Sequence, residues 1–267
     1  MRIVVCVKHV PDATADRHFE SDYTVDRVGV DGLLSELDEY AVEQALRLKE
    51  KAESPEDVTV TAVTVGPEKA ADAVRKALQM GADAGVHVSD EAIAGSDAIA
   101  TSLVLAAAVR KAAGGGVPDL VMCGMASTDG SMGVLPAMLA ERLGVPQVTL
   151  ASQVETQGDQ VRIKRDGDTA TEVIGARMPL VLSVTDQSGE ARYPSFKGIM
   201  AAKKKPMQTY SLVDLDVSAD QVGLSVAWSV VEGTEARPPR TAGEIVRDED
   251  GSGATALTEF LAAKKFI

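Results

Sequence analysis

Residues 58–88, VTVTAVTVGPEKAADAVRKALQMGADAGVHV, decide the fold that this sequence predicts. The apolar run at 58–65 indicates a strand, and the Gly-Pro pair that follows places a proline at or near the first position of a helix. Apolar residues at helical spacing continue as far as Gly81, and residues 84–88 indicate a second strand. A strand, a helix and a strand in this order predict one unit of a parallel sheet with a right-handed crossover.

The same alternation of strand and helix continues on both sides of this unit. Residues 2–7, RIVVCV, form a continuous apolar run that is typical of a strand covered on both faces. Ser35 and Asp38 resemble a capping box ahead of a helix, and further along the chain a helix is indicated at 97–113 and a strand at 119–123. We therefore predict an α/β fold, with a Rossmann-like parallel sheet and helices on both of its faces.

The pattern changes in the second half of the chain. After residue 146, short apolar runs alternate with Gly-containing turns, which predicts β-hairpins flanking the sheet. Residues 207–267 are polar and interrupted by prolines, and they end in a helix at 254–265, so we expect an extended C-terminal tail that wraps its own body or a partner. The short runs span residues 148–154, 160–165, 172–176 and 180–185.

Composition excludes several function classes. The chain has 27 Lys and Arg against 40 Asp and Glu, a formal net charge of -13 that repels nucleic-acid backbones and anionic membranes. No apolar stretch is long enough to cross a bilayer, and the N-terminus has no features of a targeting segment. Cys6 and Cys123 each lie in an apolar, strand-like run, so we expect buried reduced thiols rather than a disulfide. These features indicate a cytoplasmic protein with no nucleic-acid partner and no direct membrane insertion.

The loop at 124–133, GMASTDGSMG, is a candidate ligand site. It follows a buried strand, is rich in glycine and leads into a helix, so its backbone N–H groups and the helix dipole favour a phosphate. The spacing of the glycines matches neither a P-loop nor GxGxxG, and an ordinary βα turn is an equally good interpretation.

Residues that commonly carry catalysis or bind metals form no recognisable constellation. His9, His18 and His87 are isolated and share no metal-ligand spacing. Motifs of a serine nucleophile, a zinc protease or an ATP pyrophosphatase do not occur. We therefore predict neither catalytic nor metal-binding residues, and any chemistry belongs to a bound cofactor or a partner.

The segment at 191–206, ARYPSFKGIMAAKKKP, is a candidate docking surface. An apolar anchor beside a basic cluster suits a transient contact with an acidic partner, because apolar burial supplies affinity and opposite charge steers the encounter. A lysine run on an ordinary solvated helix face is the alternative that the residues leave open. The residues concerned are Phe196, Ile199, Met200, Lys203, Lys204 and Lys205.

Several blocks of the chain together resemble one known family, the β subunits of electron transfer flavoproteins. The blocks follow one another in the order of that family over nearly the whole length, and the last two are characteristic of the subunit rather than of the fold. They are RIVVCVKHVPD (2–12), SELDEYAVEQALRLKE (35–50), GPEKAADAVRKALQMGAD (66–83), CGMASTDGSMGVLPAMLAERLGVPQ (123–147), ARYPSFKGIMAAKKKP (191–206) and PPRTAGE (238–244).

The resemblance implies an electron carrier and not an enzyme. It implies a heterodimer with an α subunit, which accepts electrons from acyl-CoA dehydrogenases of fatty acid oxidation and from other flavin dehydrogenases, and passes them to a membrane quinone oxidoreductase. The redox FAD is expected mainly on the α subunit, in the cytoplasm of a bacterium. Family members place aromatic side chains near the flavin at the positions of Ala13 and Leu37, so we expect no ring from this chain against the flavin.

The resemblance also implies that this chain buries an AMP with no redox role. The matching positions include the glycine-rich loop that the residues themselves point to. They are Cys6, Ser35, Glu36, Leu37, Asp38, Val65, Asp129, Gly130, Ser131, Met132, Gly133, Val134, Leu135, Pro136, Ala137, Met138, Leu139 and Ala140.

Partner contacts are implied in the same way. Phe196 stands where the family has an apolar anchor, with Ile199 and Met200 as its support and Lys203 to Lys205 as steering charge. Glu172 is a candidate for an ion pair with a mobile domain of the α subunit. We expect residues 1–206 to form the adenine-nucleotide-binding domain with the recognition loop, and residues 207–267 to form a tail and helix that pack on the α subunit.

Two other functions fit the same sequence. A flavin-bifurcating relative would carry a second FAD in place of AMP. An adenine-nucleotide-binding regulator of similar fold would work without an α partner, and would leave the segment at 191–206 unexplained.

Overall fold

The computed structural model describes residues 1–15, 17–243, 245–248 and 251–267. These residues form two compact units, Met1–Glu232 and Gly233–Ile267. Within the described ranges, no helix combines the length and the apolar character that a membrane span requires.

A seven-stranded sheet forms the centre of the first unit, and every pair of neighbouring strands in it is parallel. In chain order the strands of the unit are β1 (Arg2–Cys6), β2 (His9–Pro11), β3 (Gly32–Leu34), β4 (Thr59–Val65), β5 (Ala84–Val88), β6 (Leu120–Gly124), β7 (Gln147–Ala151), β8 (Gln153–Gln157), β9 (Gln160–Asp166), β10 (Thr171–Arg177), β11 (Leu180–Val184) and β12 (Met207–Tyr210). The order in the large sheet is β12-β5-β4-β1-β6-β11-β7. Strands β8, β9 and β10 form a three-stranded antiparallel sheet, and β2 pairs with β3.

Helices cover both faces of the large sheet. They are α1 (Glu36–Glu50), α2 (Ala71–Met80), α3 (Ala98–Ala112), α4 (Leu135–Leu143) and α5 (Phe196–Ala202), and the second unit contains α6 (Gly253–Ala263). Short 3-10 helices lie at Pro55–Asp57, Glu68–Ala70, Glu91–Ile93, Asp186–Ser188, Val213–Leu215, Ala219–Gln221 and Leu224–Val226. The predicted α/β fold with a parallel sheet between two layers of helices is confirmed.

Two hydrophobic cores explain why the central strands are apolar without interruption. In β1, Ile3 and Val5 pack into the core beneath α1 and α2, whereas Val4 packs into the core beneath α3 and α4. Successive side chains of a strand point to opposite faces, so a strand covered on both faces needs an apolar residue at every position.

The hairpin prediction is confirmed for β8, β9 and β10 but is wrong for residues 180–185. Leu180–Val184 is strand β11, which lies between β6 and β7 in the large parallel sheet, and all of its residues are buried. The predicted strand 148–154 is two strands, β7 in the large sheet and β8 in the antiparallel sheet. The continuous apolar run LVLSV is the signal of a strand covered on both faces, and it outweighs the turn residues that precede it.

The C-terminal part begins with a strand rather than with a tail. Met207–Tyr210 is the edge strand β12, which pairs in parallel with β5, so the first unit continues past residue 206 to Glu232. In the second unit, α6 corresponds to the helix expected at 254–265, and it has no buried residue.

Candidate functional site

The predicted site residues gather where three neighbouring strands end. Cys6 is the last residue of β1 and Val65 the last of β4, and Gly124 ends β6 on the other side of β1. Ligands of open parallel sheets bind outside the carboxyl ends of the strands. The strand order thus brings together residues that are far apart in the sequence.

Asp129, in the loop after β6, is the centre of a charged cluster at this edge. Its side chain is only 3% exposed, and its two oxygens accept hydrogen bonds from Lys8 Nζ and Arg27 Nη2, each at 2.8 Å. Burial opposes ionisation of this carboxyl, but the charge and hydrogen bond of Lys8, with further bonds from Ser127 and Arg27, outweigh it and hold the pKa of Asp129 well below its usual range. The carboxylate therefore stays ionised and keeps both cations in place.

The long connection after β1 supplies the cations of the site. Arg17 Nη1 donates to the carbonyl oxygen of Thr128 at 2.8 Å, and Arg27 Nη1 donates to that of His9 at 3.0 Å. With Lys8, these residues bring three side-chain cations to a loop that offers Asp129 as a buried carboxylate. Sequence reasoning missed Lys8, Arg17 and Arg27, because nothing local shows that they fold back onto residues 127–129.

The start of α1 is tied to the same loop, and the predicted capping box is wrong. Ser35 makes no side-chain cap on its own helix, and its Oγ instead accepts a hydrogen bond from the backbone N–H of Thr128 at 3.4 Å. Asp38 accepts from the backbone N–H of Lys8 at 2.9 Å and from that of Gly124. These side chains therefore join α1 to the ends of β1 and β6 instead of closing the first turn of α1.

Gly124 must be a glycine because the start of α1 lies against it. A Cβ atom at this position would lie 2.6 Å from both the carbonyl oxygen of Leu37 and Oδ1 of Asp38. Burial raises the pKa of Asp38 to about 7, although the hydrogen bond and charge of Lys8 act in the opposite direction.

Replacing Asp38 by asparagine is expected to change how stability depends on pH. The pKa of this carboxyl is raised from 3.8 to about 7 by folding. Its contribution to the free energy of unfolding is therefore fully present below pH 3.8 and is lost as the pH rises through about 7. Between pH 5 and 8 the wild type should therefore lose roughly 2 kcal/mol of unfolding free energy relative to Asp38→Asn. Urea unfolding at several pH values measures this difference. A constant difference across that range would contradict the assignment.

The loop between β6 and α4 has a backbone suited to close contact with a ligand. Ser131 and Gly133 both have left-handed conformations, with φ of 52° and 67°. Non-glycine residues rarely adopt this region, and such strained residues concentrate at ligand sites. Residues 130–133 are also exposed.

The remaining predicted site residues divide into surface and core. Cys6, Val65 and Leu135 are partly exposed and border the core beneath α3 and α4. Leu139 and Ala140 are buried inside that core, so they support the loop from below rather than face it. Glu36 and Ala137 are exposed, Leu37, Val134 and Met138 are partly exposed, and Pro136 is buried.

A cleft of about 760 Å³ opens beside this site. Arg27 lines it together with Pro67, Lys69, His87 and Thr209. The volume lies within the usual range of small-molecule sites, but Glu68 and Asp72 line the cleft beside Lys69 and Arg75, so its charge is mixed. The cleft shares only Arg27 with the site at the strand ends, so the fit of that site to an anionic ligand rests on its cations and its left-handed loop.

The two cysteines lie near the site as free thiols. Cys123 is buried and Cys6 is partly exposed. A hydrogen bond with Cys6 and burial both raise the pKa of Cys123, so this thiol is a poor nucleophile. No group of His, Cys, Asp and Glu within the described ranges is arranged to hold a metal ion.

Residues 191–206, here called the recognition segment, present one exposed aromatic side chain just before a short helix and one at its first position. Tyr193 is 91% and Phe196 80% exposed, and Ser195 caps α5 by accepting a hydrogen bond from the backbone N–H of Gly198. Ile199 and Met200 are also exposed, less fully than Phe196. Sequence reasoning missed Tyr193. Aromatic residues make up only 3% of the chain, so a tyrosine within this segment could have been recognised as a candidate contact residue.

The three lysines of the recognition segment have different environments. Lys203 and Lys204 are exposed. Lys205 is partly buried, and its Nζ donates to the carbonyl oxygen of Leu78 near the end of α2 at 3.0 Å. A cation at the C-terminal end of a helix meets unpaired carbonyl groups, so Lys205 fastens the segment to α2.

Glu172 lies on β10, in the three-stranded antiparallel sheet. It is directly opposite Arg165 of β9, and Oε2 of Glu172 accepts hydrogen bonds from Arg165 Nε and Nη2 at 2.9 and 2.8 Å. An ion pair of Glu172 with another chain would thus compete with Arg165.

The fold and the site define a doubly wound α/β protein whose candidate ligand site lies at the carboxyl ends of its central strands, with a separate exposed aromatic surface. The family model described as the electron transfer flavoprotein domain matches residues 22–215, and the chain belongs to this family, among its β subunits. The resemblance found in the sequence is thereby confirmed.

Relatives match over the full length of the chain. It is 43% identical over 267 residues to electron transfer flavoprotein subunit beta of Mycobacterium tuberculosis (strain H37Rv), covering 99% of each chain. It is 42% identical over 268 residues to the subunit of the same name from Mycobacterium leprae, again covering 99% of each. The identity to that from Megasphaera elsdenii is 32% over 273 residues, covering 100% of each.

Proposed function

We propose that this chain is the β subunit of a heterodimeric electron transfer flavoprotein that carries electrons from acyl-CoA and other flavin dehydrogenases to a membrane quinone oxidoreductase. The observation that carries the proposal is the recognition segment, where Tyr193 and Phe196 are exposed beside two free lysines in an acidic chain. Exposed aromatics are the residues that most often anchor protein contacts. The chain acts as a carrier subunit and not as an enzyme.

The site at the strand ends is proposed to hold an AMP without a redox role. Cys6, Val65 and the loop at 129–134 would contact it, and the cations Lys8, Arg17 and Arg27 would balance its phosphate charge. Gly124 and Asp38 keep the start of α1 close to the loop. The FAD, bound mainly by the α subunit, supplies the redox chemistry.

Glu172 is proposed to pair with a mobile domain of the α subunit. Its side chain is 57% exposed, so a cation of the partner can approach it without opening the fold. Such a contact exchanges one ion pair for another, because Arg165 already holds the carboxylate. A contact of this kind is weak and readily reversed, which suits a domain that has to move.

Nucleotide analysis of the purified heterodimer tests the proposal. The chain is produced together with an α subunit of the same family, and the nucleotides released on denaturation are identified. AMP with one FAD supports the simple carrier, and two FAD would replace it by the flavin-bifurcating type. A colourless chain that forms no complex with an α subunit would favour the regulator.

Neutralising Lys203 and Lys204 is expected to slow partner association in a salt-dependent way. The double change Lys203→Gln and Lys204→Gln should lower the association rate with a dehydrogenase about threefold at low ionic strength, because steering acts on the encounter. The difference should vanish near roughly 0.5 M salt, where exposed charges are screened. Stopped-flow flavin reduction measures the rate. Lys164→Gln, on the exposed face of β9, is the control, and an equal effect from it would contradict steering by the recognition segment.

A further inference from the structure

The chain leading into the recognition segment is bound along α1 by a series of hydrogen bonds. Gln44 Nε2 donates to the carbonyl oxygen of Ser188 at 2.7 Å, and Arg47 Nη2 donates to that of Glu190 at 3.0 Å. One residue pair then completes the series at the start of the segment, where the backbone N–H of Arg192 donates to Oε2 of Glu43 at 3.2 Å. The entry into the segment is thereby fixed on a rigid helix.

Glu43 is the centre of this attachment. Its side chain is 4% exposed, and it accepts from Arg192 Nε at 2.6 Å and from Arg47 Nε at 2.7 Å. Arg192 also donates from Nη1 and Nη2 to the carboxylate of Glu50 at 2.6 and 3.0 Å. A planar guanidinium held between two carboxylates has little freedom to rotate, since its donors match carboxylate geometry in a fixed fork.

The charge state of this cluster is settled by its hydrogen bonds. Burial works against ionisation of Glu43, but the bonds from Arg192 and Arg47 prevail and lower its pKa. Glu43 is thus a carboxylate whose oxygens are both occupied by arginine donors.

The chain that follows the two exposed aromatic residues is also held in place. A Cβ atom on Gly198 would lie 2.5 Å from the carbonyl oxygen of Gln79, so α5 lies directly on the end of α2. Lys205 adds its hydrogen bond to Leu78 on the same helix end. The residues between Arg192 and Gly198 are therefore held at both ends while Tyr193 and Phe196 stay exposed.

We propose that Glu43 is a positioning residue for partner recognition, which acts through Arg192 to hold Tyr193 and Phe196 in the arrangement that a dehydrogenase binds. The proposal rests on the proposed function of the recognition segment. A surface ordered before binding loses less conformational freedom in the complex, so preorganisation increases affinity without adding a contact. Glu43 itself is buried, so it acts through Arg192 rather than by direct contact.

The change Glu43→Gln in the complete heterodimer tests the proposal. The amide keeps the shape of the side chain but loses the charge and one acceptor for the arginine donors. We expect the KM of the dehydrogenase for the heterodimer to rise about tenfold, because the binding surface must then be ordered on contact. The kcat, the FAD content and the rate of flavin reduction by dithionite should stay unchanged. Glu39→Gln, one turn earlier on α1 and paired with Lys76, is the matched control and should leave KM unchanged.

A double-mutant cycle with Phe196→Ala separates positioning from a general structural effect. If Glu43 acts through the aromatic surface, Glu43→Gln should add little to the loss already caused by Phe196→Ala. Full additivity of the two changes would overturn the proposal, and so would a normal KM for Glu43→Gln when Phe196→Ala has its effect. A normal KM for Phe196→Ala would instead overturn the proposed function of the segment.

A milder variant keeps the test valid if Glu43→Gln does not fold. Arg192→Lys retains a positive charge beside Glu43 but loses the fork that engages two carboxylates, so its KM should lie between those of the wild type and Glu43→Gln. A KM equal to that of the wild type would overturn the proposal.

Discussion

Replacing Phe196 by alanine is expected to lower kcat/KM for flavin reduction by a dehydrogenase roughly 30-fold, the loss typical of a central aromatic anchor. The side chain is 80% exposed, so it contributes little to the core and its removal should leave unfolding unchanged. The loss arises instead because the apolar area of the ring no longer becomes buried in the complex. Steady-state kinetics with the full heterodimer and a cognate dehydrogenase measure it.

A matched variant shows whether the effect belongs to this surface. Phe19→Ala removes a half-exposed phenylalanine, located in the connection after β1, and should leave kcat/KM unchanged. The FAD content of both variants should equal that of the wild type, because the FAD is expected mainly on the α subunit. Normal kinetics for Phe196→Ala would remove the main support for recognition by this segment.

Replacing Asp129 by asparagine should destabilise the fold. Removing the charge leaves Lys8 and Arg27 without their carboxylate. Unpairing a buried charge commonly costs about 3–5 kcal/mol of unfolding free energy, and we expect a smaller loss of about 2 kcal/mol here. The loss is smaller because the side chains of Lys8 and Arg27 are 41% and 28% exposed, so water replaces part of the lost interaction. Urea unfolding at pH 7 measures the change.

The same variant should also lose bound nucleotide. Asp129 holds two of the cations that face the loop, and without it the loop and the connection after β1 separate more easily. We expect the purified Asp129→Asn heterodimer to contain less AMP than the wild type, at normal FAD content. Asp159→Asn makes the same change in an exposed pair with Arg177 and should alter neither quantity. A full AMP content in Asp129→Asn would contradict the placement of the nucleotide.

Local signals were sufficient for most of the fold. The strand predicted at 84–88 is found as Ala84–Val88, and the helix predicted at 97–113 is found as Ala98–Ala112 with Asp97 as its cap. Apolar periodicity and a capping side chain are properties of neighbouring residues, so they can be read from one sequence. The prediction for β11 was wrong because its place between β6 and β7 depends on contacts with strands that are distant in the sequence.

The candidate site could also be predicted only where its signal is local in the sequence. The loop at 124–133 was found because glycines after a buried strand are a local pattern. The cations were not found, because Lys8 and Arg27 meet Asp129 across more than a hundred positions of sequence. Lys205 illustrates the point within a single run of lysines, since only the packing of α5 on α2 shows that its ammonium group is bound to Leu78.

The path of the chain between β11 and β12 has a consequence for folding. Strand β11 lies near one side of the large sheet and β12 is the edge strand on the other, so residues 185–206 must cross over α1 and α2 before β12 can pair with β5. Gln44 of α1 and the carbonyl group of Leu78 on α2 hold the crossing. The aromatic surface therefore forms only where both helices are folded, so a chain in which either helix is unfolded does not present it to a partner.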